Sequence, residues 1–589
     1  MVEAANVTLS LSSLVGLCTS LPPAVSLFFI APYAYHLLAA LHSVYSLWRR
    51  LGLRGLYKRT SGKVLGAMRS TVPGVGALIE QQVAKELSGI EKDMLGDGDA
   101  DALLVLPAEA TPASEVLARA RSLRRADSYT AQHGKQWGGI YHHAESELTV
   151  LQSQVWAAYN TSNALYPQCF PSLRRFEAEL ISMTIGLLHG HEAGCVGLLS
   201  SGGTESVLLA ALAYREHGRK VRGISHPQIV CGLSAHPAIV KACHYFGIEL
   251  VKAPLDPTTM QLTAATVRPL LTSRTVAIYA SAPSFSFGCV DAIEELGALA
   301  QSRGVGLHVD NCLGGYLLSF MQREGRFERA WDFAVPGVTT VSIDLHKYGY
   351  ASKGVSVVAF RDAALRRLTY VPSADGCEGL YVTPTLQGSR GGAVMASAWA
   401  TLLHLGEDGY RRSANQISDA TEALKRAIRA MPQLKLCGDP TCAVVPMCGV
   451  GGLDVYALAS LLESKGWGTF TGQKPATLAL PVGDHTADHL DQMIEDLQAS
   501  VAYLDAHPET RPSGTAAVYG AAAAIPDEVL EDVLRGYIDL KLKVKPAAMR
   551  PLAPDAHGAD RGGVVGRGLG TTTTTGAAKR APKSPSRKR

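Results

Sequence analysis

The alternation of short apolar runs with amphipathic stretches between residues 159 and 361 constrains the fold of this chain most. The predicted strands cover residues 228–231, 276–280, 306–309 and 339–343. The predicted helices around them cover residues 173–189, 206–217 and 292–302. Strands that alternate with helices form a mainly parallel α/β sheet. Because ligands bind at the carboxyl ends of such strands, the polar residues that follow each run are the candidates for function.

The length of 589 residues predicts more than one domain. After a helical segment at 61–158 we expect a large domain at 159–392. A long helix beginning near residue 393 then leads into a smaller α+β domain that ends at residue 545. Residues 546–589 are rich in glycine, threonine and basic side chains and cannot bury enough apolar surface to fold, so they are predicted to be a disordered basic tail.

The N-terminal segment has the composition of a membrane anchor. Residues 7–48 contain no Asp, Glu, Lys or Arg, and the densest apolar part, 24–47, is long enough to span a hydrocarbon core of ~30 Å. Six basic residues follow it: Arg49, Arg50, Arg54, Lys58, Arg59 and Lys63. The positive-inside rule then places everything after residue 48 in the cytosol. Residues 1–60 are predicted to be a single-pass anchor with its basic flank; a cleaved signal peptide and a buried soluble helix are the alternatives.

Charge and cysteine usage exclude several classes of protein. The tail from residue 547 carries nine Lys and Arg against two Asp, whereas the whole chain has a net charge of +4, so the body is slightly acidic. A nucleic-acid-binding domain would need a basic body. The eleven cysteines include no CxxC pair, so we predict neither a disulfide framework nor a metal site, and a reduced catalytic body.

A Ser/Gly-rich segment at residues 200–206 precedes a predicted helix. Gly202 and Gly203 allow the backbone to approach an anion, and Thr204 adds a hydroxyl donor. Free N–H groups and the dipole at a helix N-terminus favour a phosphate there. A plain helix cap explains the same residues, because such caps are common.

Three further polar residues follow predicted strands. Asp310 ends an apolar run before a Gly pair, and a carboxylate in that place can hold a protonated ring nitrogen. Lys347 follows another run between His346 and Tyr348; partial burial is expected to lower its pKa and favour covalent chemistry with a carbonyl. His236 follows a short strand and could stack on a planar cofactor. In isolation, each has a plain structural alternative: a capping Asp, a surface lysine and a packed histidine.

Taken in order, these segments resemble the large domain of fold-type I pyridoxal-phosphate enzymes. The resemblance is to the sphingosine-1-phosphate lyase family in particular, within the group II decarboxylase-like enzymes. It is carried by residues 134–141, 170–179, 201–206, 234–236, 307–315, 346–350, 353–354, 388–390 and 518–520. It implies a large parallel-sheet domain, a smaller C-terminal domain, an N-terminal transmembrane helix and bound pyridoxal 5'-phosphate.

The resemblance also implies the contacts of the cofactor. Lys347 would be the Schiff-base lysine, Asp310 would bind the pyridinium nitrogen, and His236 would stack on the ring. The cofactor phosphate would be held by Gly203, Thr204, His346 and, from the second subunit of a homodimer, Ser389. No metal is implied.

By the same resemblance, the chain would cleave a sphingoid base phosphate into a long-chain aldehyde and phosphoethanolamine, at the endoplasmic reticulum membrane. Tyr141 would act near the reacting carbons, and Lys353 would bind the substrate phosphate or transfer a proton. Tyr166 stands where the family has a phosphate-binding histidine, Phe287 also replaces a histidine, and Asn311 replaces an alanine. An amino-acid decarboxylase or an inactive membrane-tethered scaffold of the same fold are the alternatives.

Overall fold

The computed structural model describes residues 75–96, 102–125, 127, 135, 139–142, 146–377, 379–513, 516 and 527–545. Within these ranges, no helix is both long and apolar enough to cross a bilayer. The predicted membrane span at 24–47 and the predicted tail at 546–589 lie outside the described residues.

A seven-stranded sheet forms the centre of the large domain. Its strands are β1 (Val196–Ser200), β2 (Gln228–Gly232), β3 (Glu249–Ala253), β4 (Thr275–Ser281), β5 (Gly306–Asp310), β6 (Thr340–Asp344) and β7 (Ser356–Phe360). Their spatial order is β1-β7-β6-β5-β4-β2-β3. Strand β7 runs antiparallel to both of its neighbours, and all the other pairings are parallel. The four apolar runs predicted as strands are strands, and the sheet is mainly parallel as expected.

The central strands are buried on both faces. Every residue of β2, β4, β6 and β7 is buried. Continuous apolar runs of this kind are typical of sheets that are covered by helices on both sides. The burial leaves the strand ends as the places where polar side chains can meet solvent and ligand.

Fifteen α-helices lie in the described residues. They are α1 (Val75–Leu95), α2 (Ala113–Arg124), α3 (Glu147–Tyr159), α4 (Pro171–Leu187), α5 (Gly203–Lys220), α6 (Ala238–Phe246), α7 (Ala264–Val267), α8 (Ile293–Arg303), α9 (Gly315–Arg323), α10 (Ala363–Arg367), α11 (Gly392–Arg429), α12 (Val455–Ser464), α13 (Asp484–Ala487), α14 (Leu490–Ala506) and α15 (Asp527–Lys541), with a 3₁₀ turn at Arg268–Leu270. Helix α11 is interrupted at Gly406, whose φ of 55° lies in the left-handed region that glycine adopts most readily. Helix α11 is the long helix that was predicted to begin near residue 393.

The smaller C-terminal sheet is antiparallel. After a two-stranded hairpin of β8 (Ser373–Gly376) and β9 (Gly379–Tyr381), its strands are β10 (Leu434–Leu436), β11 (Val444–Gly449), β12 (Phe470–Gln473) and β13 (Ala476–Pro481). They are arranged in the order β10-β11-β13-β12. Helix α12 packs on β13 and on α14.

One disulfide corrects the expectation of a fully reduced body. Cys437 and Cys448 are bonded across the edge of β10 and β11, with their Cα atoms 6.2 Å apart. The two strands pair antiparallel, with Lys435 opposite Cys448, and this pairing brings the two cysteines within bonding distance. Their spacing in the sequence carries no such signal, because it does not show where the chain turns back.

The chain forms two compact units. Among the described residues, one unit contains 75–76 and those between 111 and 531, and the other contains 77–96, 102–110 and 532–545. In the second unit Lys543 forms an ion pair with Glu91 at 2.6 Å. The domain boundaries drawn from the sequence remain predictions.

Candidate active site

A cavity of about 520 Å³ opens where the parallel strands of the large sheet end. Seven of the residues predicted from the sequence line it: Tyr141, Gly203, Thr204, His236, Asp310, His346 and Lys347. They follow β1, β2, β5 and β6, apart from Tyr141, which precedes α3. The expectation that polar residues at strand ends converge is confirmed for this set.

Asp310 is a buried carboxylate at the end of β5 with a dense set of donors. Its Oδ2 accepts the hydroxyl of Tyr279, and its Oδ1 accepts the Ser342 hydroxyl at 3.2 Å and the Cys312 N–H at 3.1 Å. Burial alone would raise the pKa of Asp310, but the charge of His236 and these hydrogen bonds outweigh burial and lower it. The site therefore keeps a negative charge in the wall of the cavity.

Gly203 begins α5 at a point where no side chain fits. A Cβ atom there would lie 2.7 Å from Cys312 Sγ and 2.9 Å from both carboxylate oxygens of Asp344. The preceding Gly202 has φ 152°, which also favours glycine. The missing side chain therefore lets the start of α5 pack against Cys312 and Asp344, and a helix N-terminus beside a cavity is an arrangement that binds phosphate.

The side chain of Glu205 holds this loop in place by hydrogen bonds. Its carboxylate is buried and accepts the Ser201 N–H at 2.6 Å and the Leu386 N–H at 3.0 Å. It thereby joins the loop that follows β1 to the segment that carries Ser389. The sequence motif places Glu205 within the loop but does not show that it has this second partner.

Three buried serines connect the strands under the cavity. Ser206 Oγ lies 2.7 Å from Ser200 Oγ and 2.9 Å from Ser356 Oγ, and Ser356 donates to the Ile343 carbonyl at 3.0 Å. The chain of hydroxyls runs from β1 through α5 and β7 to β6. It holds the loop at Gly203 in register with the strand that leads to Lys347.

The electrostatic environment of Lys347 differs from the sequence-based expectation. Its Nζ lies 3.0 Å from Asp344 Oδ2, in an ion pair whose carboxylate is buried and whose lysine is partly buried. Burial alone would lower the pKa of Lys347, but the Asp344 carboxylate and the other acidic groups of the cavity outweigh burial and raise it. The prediction of a lowered pKa is wrong, because it took account of burial and not of the carboxylate three residues earlier.

Lys353 is the lysine with the lowered pKa. Its Nζ lies over the ring of Tyr141, 4.5 Å from the centroid, and donates to the carbonyl of His346 at 2.9 Å. Although Lys353 is an exposed residue, the protein atoms around its ammonium and the like charge of Lys347 lower its pKa to about 8. An amine that titrates near neutral pH can exchange a proton during a reaction.

The two histidines of the cavity are held by main-chain donors. The Nδ1 atom of His346 accepts the Val355 N–H at 3.1 Å, and Nδ1 of His236 accepts the Ala238 N–H at 3.2 Å. In the neutral rings, the proton is therefore on Nε2. Both rings can offer an N–H group.

Ser389 and Tyr166 are not in the lining of this cavity. Asn163 Nδ2 donates to Ser389 Oγ at 3.0 Å, and Asn163 Oδ1 accepts the N–H of Arg390 at 3.2 Å. Tyr166 follows Asn163 in the same turn, and its side chain is 54% exposed. The two predicted residues thus share one surface region of the chain.

Two departures from the family pattern are placed away from the cavity lining. Phe287 is buried in an apolar cluster with Cys289, Cys437 and Cys448. Asn311 is fully buried, and neither polar atom of its side chain has a hydrogen-bond partner among the described residues. We find no structural reason for an amide at that position.

Asp344, Tyr279, Phe285 and Phe470 were not predicted from the sequence. Asp344 ends a strand three residues before Lys347, a signal that was available. Phe470 lies on β12 of the smaller domain and comes to the cavity only through tertiary packing, so no local pattern indicates it.

These residues fit a planar cofactor with a phosphate and a basic ring nitrogen. The N-terminus of α5 at Gly203 lies at the cavity and favours a phosphate, Asp310 supplies a buried anion, and Lys347 supplies a primary amine. The second oxygen of Asp344 is buried and without a hydrogen-bond partner in the described chain, so a polar group is still to be accommodated beside it. Pyridoxal 5'-phosphate has the groups that this donor set requires.

Comparisons with known proteins agree with this fit. The model of the pyridoxal-dependent decarboxylase conserved domain matches residues 141–447. Sphingosine-1-phosphate lyase 1 of Mus musculus is 36% identical over 489 residues, which cover 82% of this chain and 83% of that protein. The lyase of Saccharomyces cerevisiae is 35% identical over 482 residues, with 80% and 81% covered.

A solved structure shows the same relationship. The sphingosine-1-phosphate lyase of Burkholderia pseudomallei has a TM-score of 0.66 and 34% identity, and the match covers 73% of this chain and 97% of that one. With this fold, this cavity and these relatives, the chain belongs to the sphingosine-1-phosphate lyase family of pyridoxal-dependent enzymes.

Proposed function

We propose that the protein is a carbon–carbon lyase that cleaves sphingoid base phosphates into a long-chain aldehyde and phosphoethanolamine. The observation that carries the proposal is the convergence of Lys347, Asp310 and the helix start at Gly203 on one cavity. Membership of the family supplies the substrate class, since the named relatives are sphingosine-1-phosphate lyases.

The residues of the cavity have separable tasks. Pyridoxal phosphate, which Lys347 would hold through its amine, would supply an electron sink for the pair released when the C–C bond breaks. Asp310 holds a negative charge where a protonated ring nitrogen is stabilised. Asp344 Oδ2, 3.0 Å from Lys347 Nζ, holds that amine in place beside the cofactor site. Gly203 and Thr204 bind the cofactor phosphate, together with the Nε2–H of His346, and His236 covers the ring.

Proton transfer at the substrate hydroxyl is assigned to the pair of Lys353 and Tyr141. An amine with a pKa of about 8 suits a general base near neutral pH. Burial raises the pKa of Tyr141, so its phenol stays protonated and donates a hydrogen bond instead.

We assign Ser389 and Tyr166 to the active site of a second subunit. Both lie outside the cavity of their own chain, and Asn163 connects the turn that carries Tyr166 to Ser389. In a homodimer with active sites at its interface, Ser389 reaches the cofactor phosphate and Tyr166 reaches the substrate phosphate.

Attachment to the endoplasmic reticulum membrane by residues 24–47 is also part of the proposal. It rests on the apolar composition of that segment and on the basic residues that follow it. A long-chain substrate and product would suit an enzyme held at a bilayer. Resistance of the expressed chain to extraction from membranes with alkaline carbonate would support the anchor, and release by carbonate would refute it.

The proposed activity is tested with purified protein, pyridoxal phosphate and sphingosine 1-phosphate, with wild type and Lys347→Ala side by side. We expect long-chain aldehyde from the wild type and none from the variant, whose bound cofactor also lacks the absorbance of a lysine adduct. Amino acids serve as the comparison substrates. Release of carbon dioxide from an amino acid, without aldehyde from the sphingoid phosphate, would show that the protein is an amino-acid decarboxylase and not a sphingoid base phosphate lyase.

A further inference from the structure

Two phenylalanines meet at the cavity from different domains. Phe285 lies in the loop that follows β4, and Phe470 lies on β12 of the smaller sheet. Their rings pack edge to face, with centroids 5.3 Å apart and an interplanar angle of 89°. Both rings line the cavity.

The lining of the cavity contains apolar as well as polar groups. Pro283, Phe285, Leu313 and Phe470 are apolar, whereas Asp310, Asp344, His346 and Lys347 carry charged or hydrogen-bonding groups. Strand β4, which leads to Phe285, is two positions from β6, which leads to Lys347. At ~4.8 Å per strand, the two strands lie roughly 10 Å apart. The aromatic pair therefore contacts ligand atoms away from those that react.

Phe285 is 40% exposed although it lines a site rich in polar groups. An exposed aromatic ring beside a charged cavity is stabilised when a ligand brings apolar surface to it. A ligand with a phosphorylated amino alcohol at one end and an alkyl chain at the other satisfies both parts of the lining. A phosphorylated amino alcohol without the chain would leave the aromatic pair in water.

We propose that the Phe285–Phe470 pair binds the alkyl chain of the substrate and sets the preference of the enzyme for long chains. The inference rests on the proposed function and deepens it. Because the two rings come from two domains, the contact also requires the smaller domain to be in place beside the cavity.

The test compares a long-chain sphingoid phosphate with an analogue that lacks most of the alkyl chain, both below the concentration at which they aggregate. Phe470→Ala and Phe285→Ala should each raise KM for the long-chain substrate about ten-fold, the effect of losing one or two methylene contacts. The kcat value for that substrate and the kcat/KM value for the short analogue should change less than about two-fold.

Two further variants separate this role from a loss of folding. Phe470→Leu keeps apolar bulk and should recover most of the long-chain preference. Tyr245→Ala removes an exposed aromatic ring outside the cavity and should leave both substrates unaffected. The absorbance of bound cofactor shows that each variant is folded.

The outcomes distinguish this inference from the proposed function. If wild type cleaves neither substrate, the proposed function itself fails. If wild type cleaves both and the phenylalanine variants lose activity toward both equally, the pair does not select the chain. A change in oligomeric state without a change in chain preference would also overturn the inference, by assigning the rings to a subunit interface.

Discussion

Lys347 and Lys353 are six residues apart and have opposite electrostatic environments. Asp344 holds Lys347 in an ion pair, whereas Lys353 has the positive charge of Lys347 nearby and the ring of Tyr141 beneath it. The sequence shows both lysines and the aspartate. It does not show the balance between burial and ion pairing, which is why the predicted direction for the pKa of Lys347 was wrong.

The lowered pKa of Lys353 predicts a rising limb in the pH profile of the lyase. The neutral amine is the form that accepts a proton, and its fraction grows as the pH rises through about 8. We expect kcat/KM to rise over that range in the wild type. In Lys353→Arg the guanidinium stays protonated, so activity should be low at every pH and the limb should be absent. An unchanged limb in Lys353→Arg would assign the titration to another group.

The titration of Lys353 also makes the free energy of unfolding depend on pH. Because the pKa of Lys353 is lower in the folded chain than the usual 10.5, the folded state releases the proton first as the pH rises. Its contribution to the free energy of unfolding therefore increases between pH 8 and 10.5 and is smallest below pH 8. The arginine variant should lack this contribution.

Among the elements, the disulfide between Cys437 and Cys448 joins β10 to β11. It closes a loop with a sequence separation of 11 residues, and a loop of this size contributes about 3 kcal/mol by restricting the unfolded chain. The double variant Cys437→Ser, Cys448→Ser should therefore have a lower midpoint of unfolding in urea.

A matched control is the exposed free cysteine Cys169, whose change to serine should leave the midpoint unchanged. A dithiol reductant should lower the midpoint of the wild type and have no effect on the double variant. Equal midpoints for wild type and double variant, without reductant, would show that the bond adds no stability.

Four strands of the large sheet, β2, β4, β5 and β6, could be predicted because each is a short apolar run. The reversed direction of β7, the Cys437–Cys448 pairing and the position of Phe470 could not. Each depends on which distant segments pair, and a local pattern does not record that. Gly203, Asp310 and Lys347 could be predicted because ligands bind where parallel strands end. The role of Glu205 is visible only in the structure, through its hydrogen bond with the Leu386 N–H.

For the whole molecule, the proposed homodimer predicts that Ser389 and Tyr166 complete the site of the second subunit. We expect Ser389→Ala to weaken cofactor binding in the homodimer. Mixing that variant with Lys347→Ala under conditions of subunit exchange should restore activity. Half of the dimers in an equal mixture are then hybrids, and each hybrid has one intact site, so about a quarter of wild-type activity should return.

The control for this experiment is the mixture of Lys347→Ala with the double variant Lys347→Ala, Ser389→Ala. Every site in that mixture lacks the lysine, and no activity should return. Absence of recovery in the first mixture, despite confirmed exchange of subunits, would place Ser389 in the site of its own chain or outside both.

The antiparallel strand β7 has a consequence for how the enzyme loses its cofactor. Because β7 follows β6 directly, Lys347 lies in the connection between two neighbouring strands in the interior of the sheet, and not on a long crossover. Amide hydrogens in such strands exchange with solvent only when the whole domain opens. On heating, the yellow colour of the bound cofactor should therefore disappear together with the large domain's cooperative transition, and a colourless but folded intermediate should not accumulate.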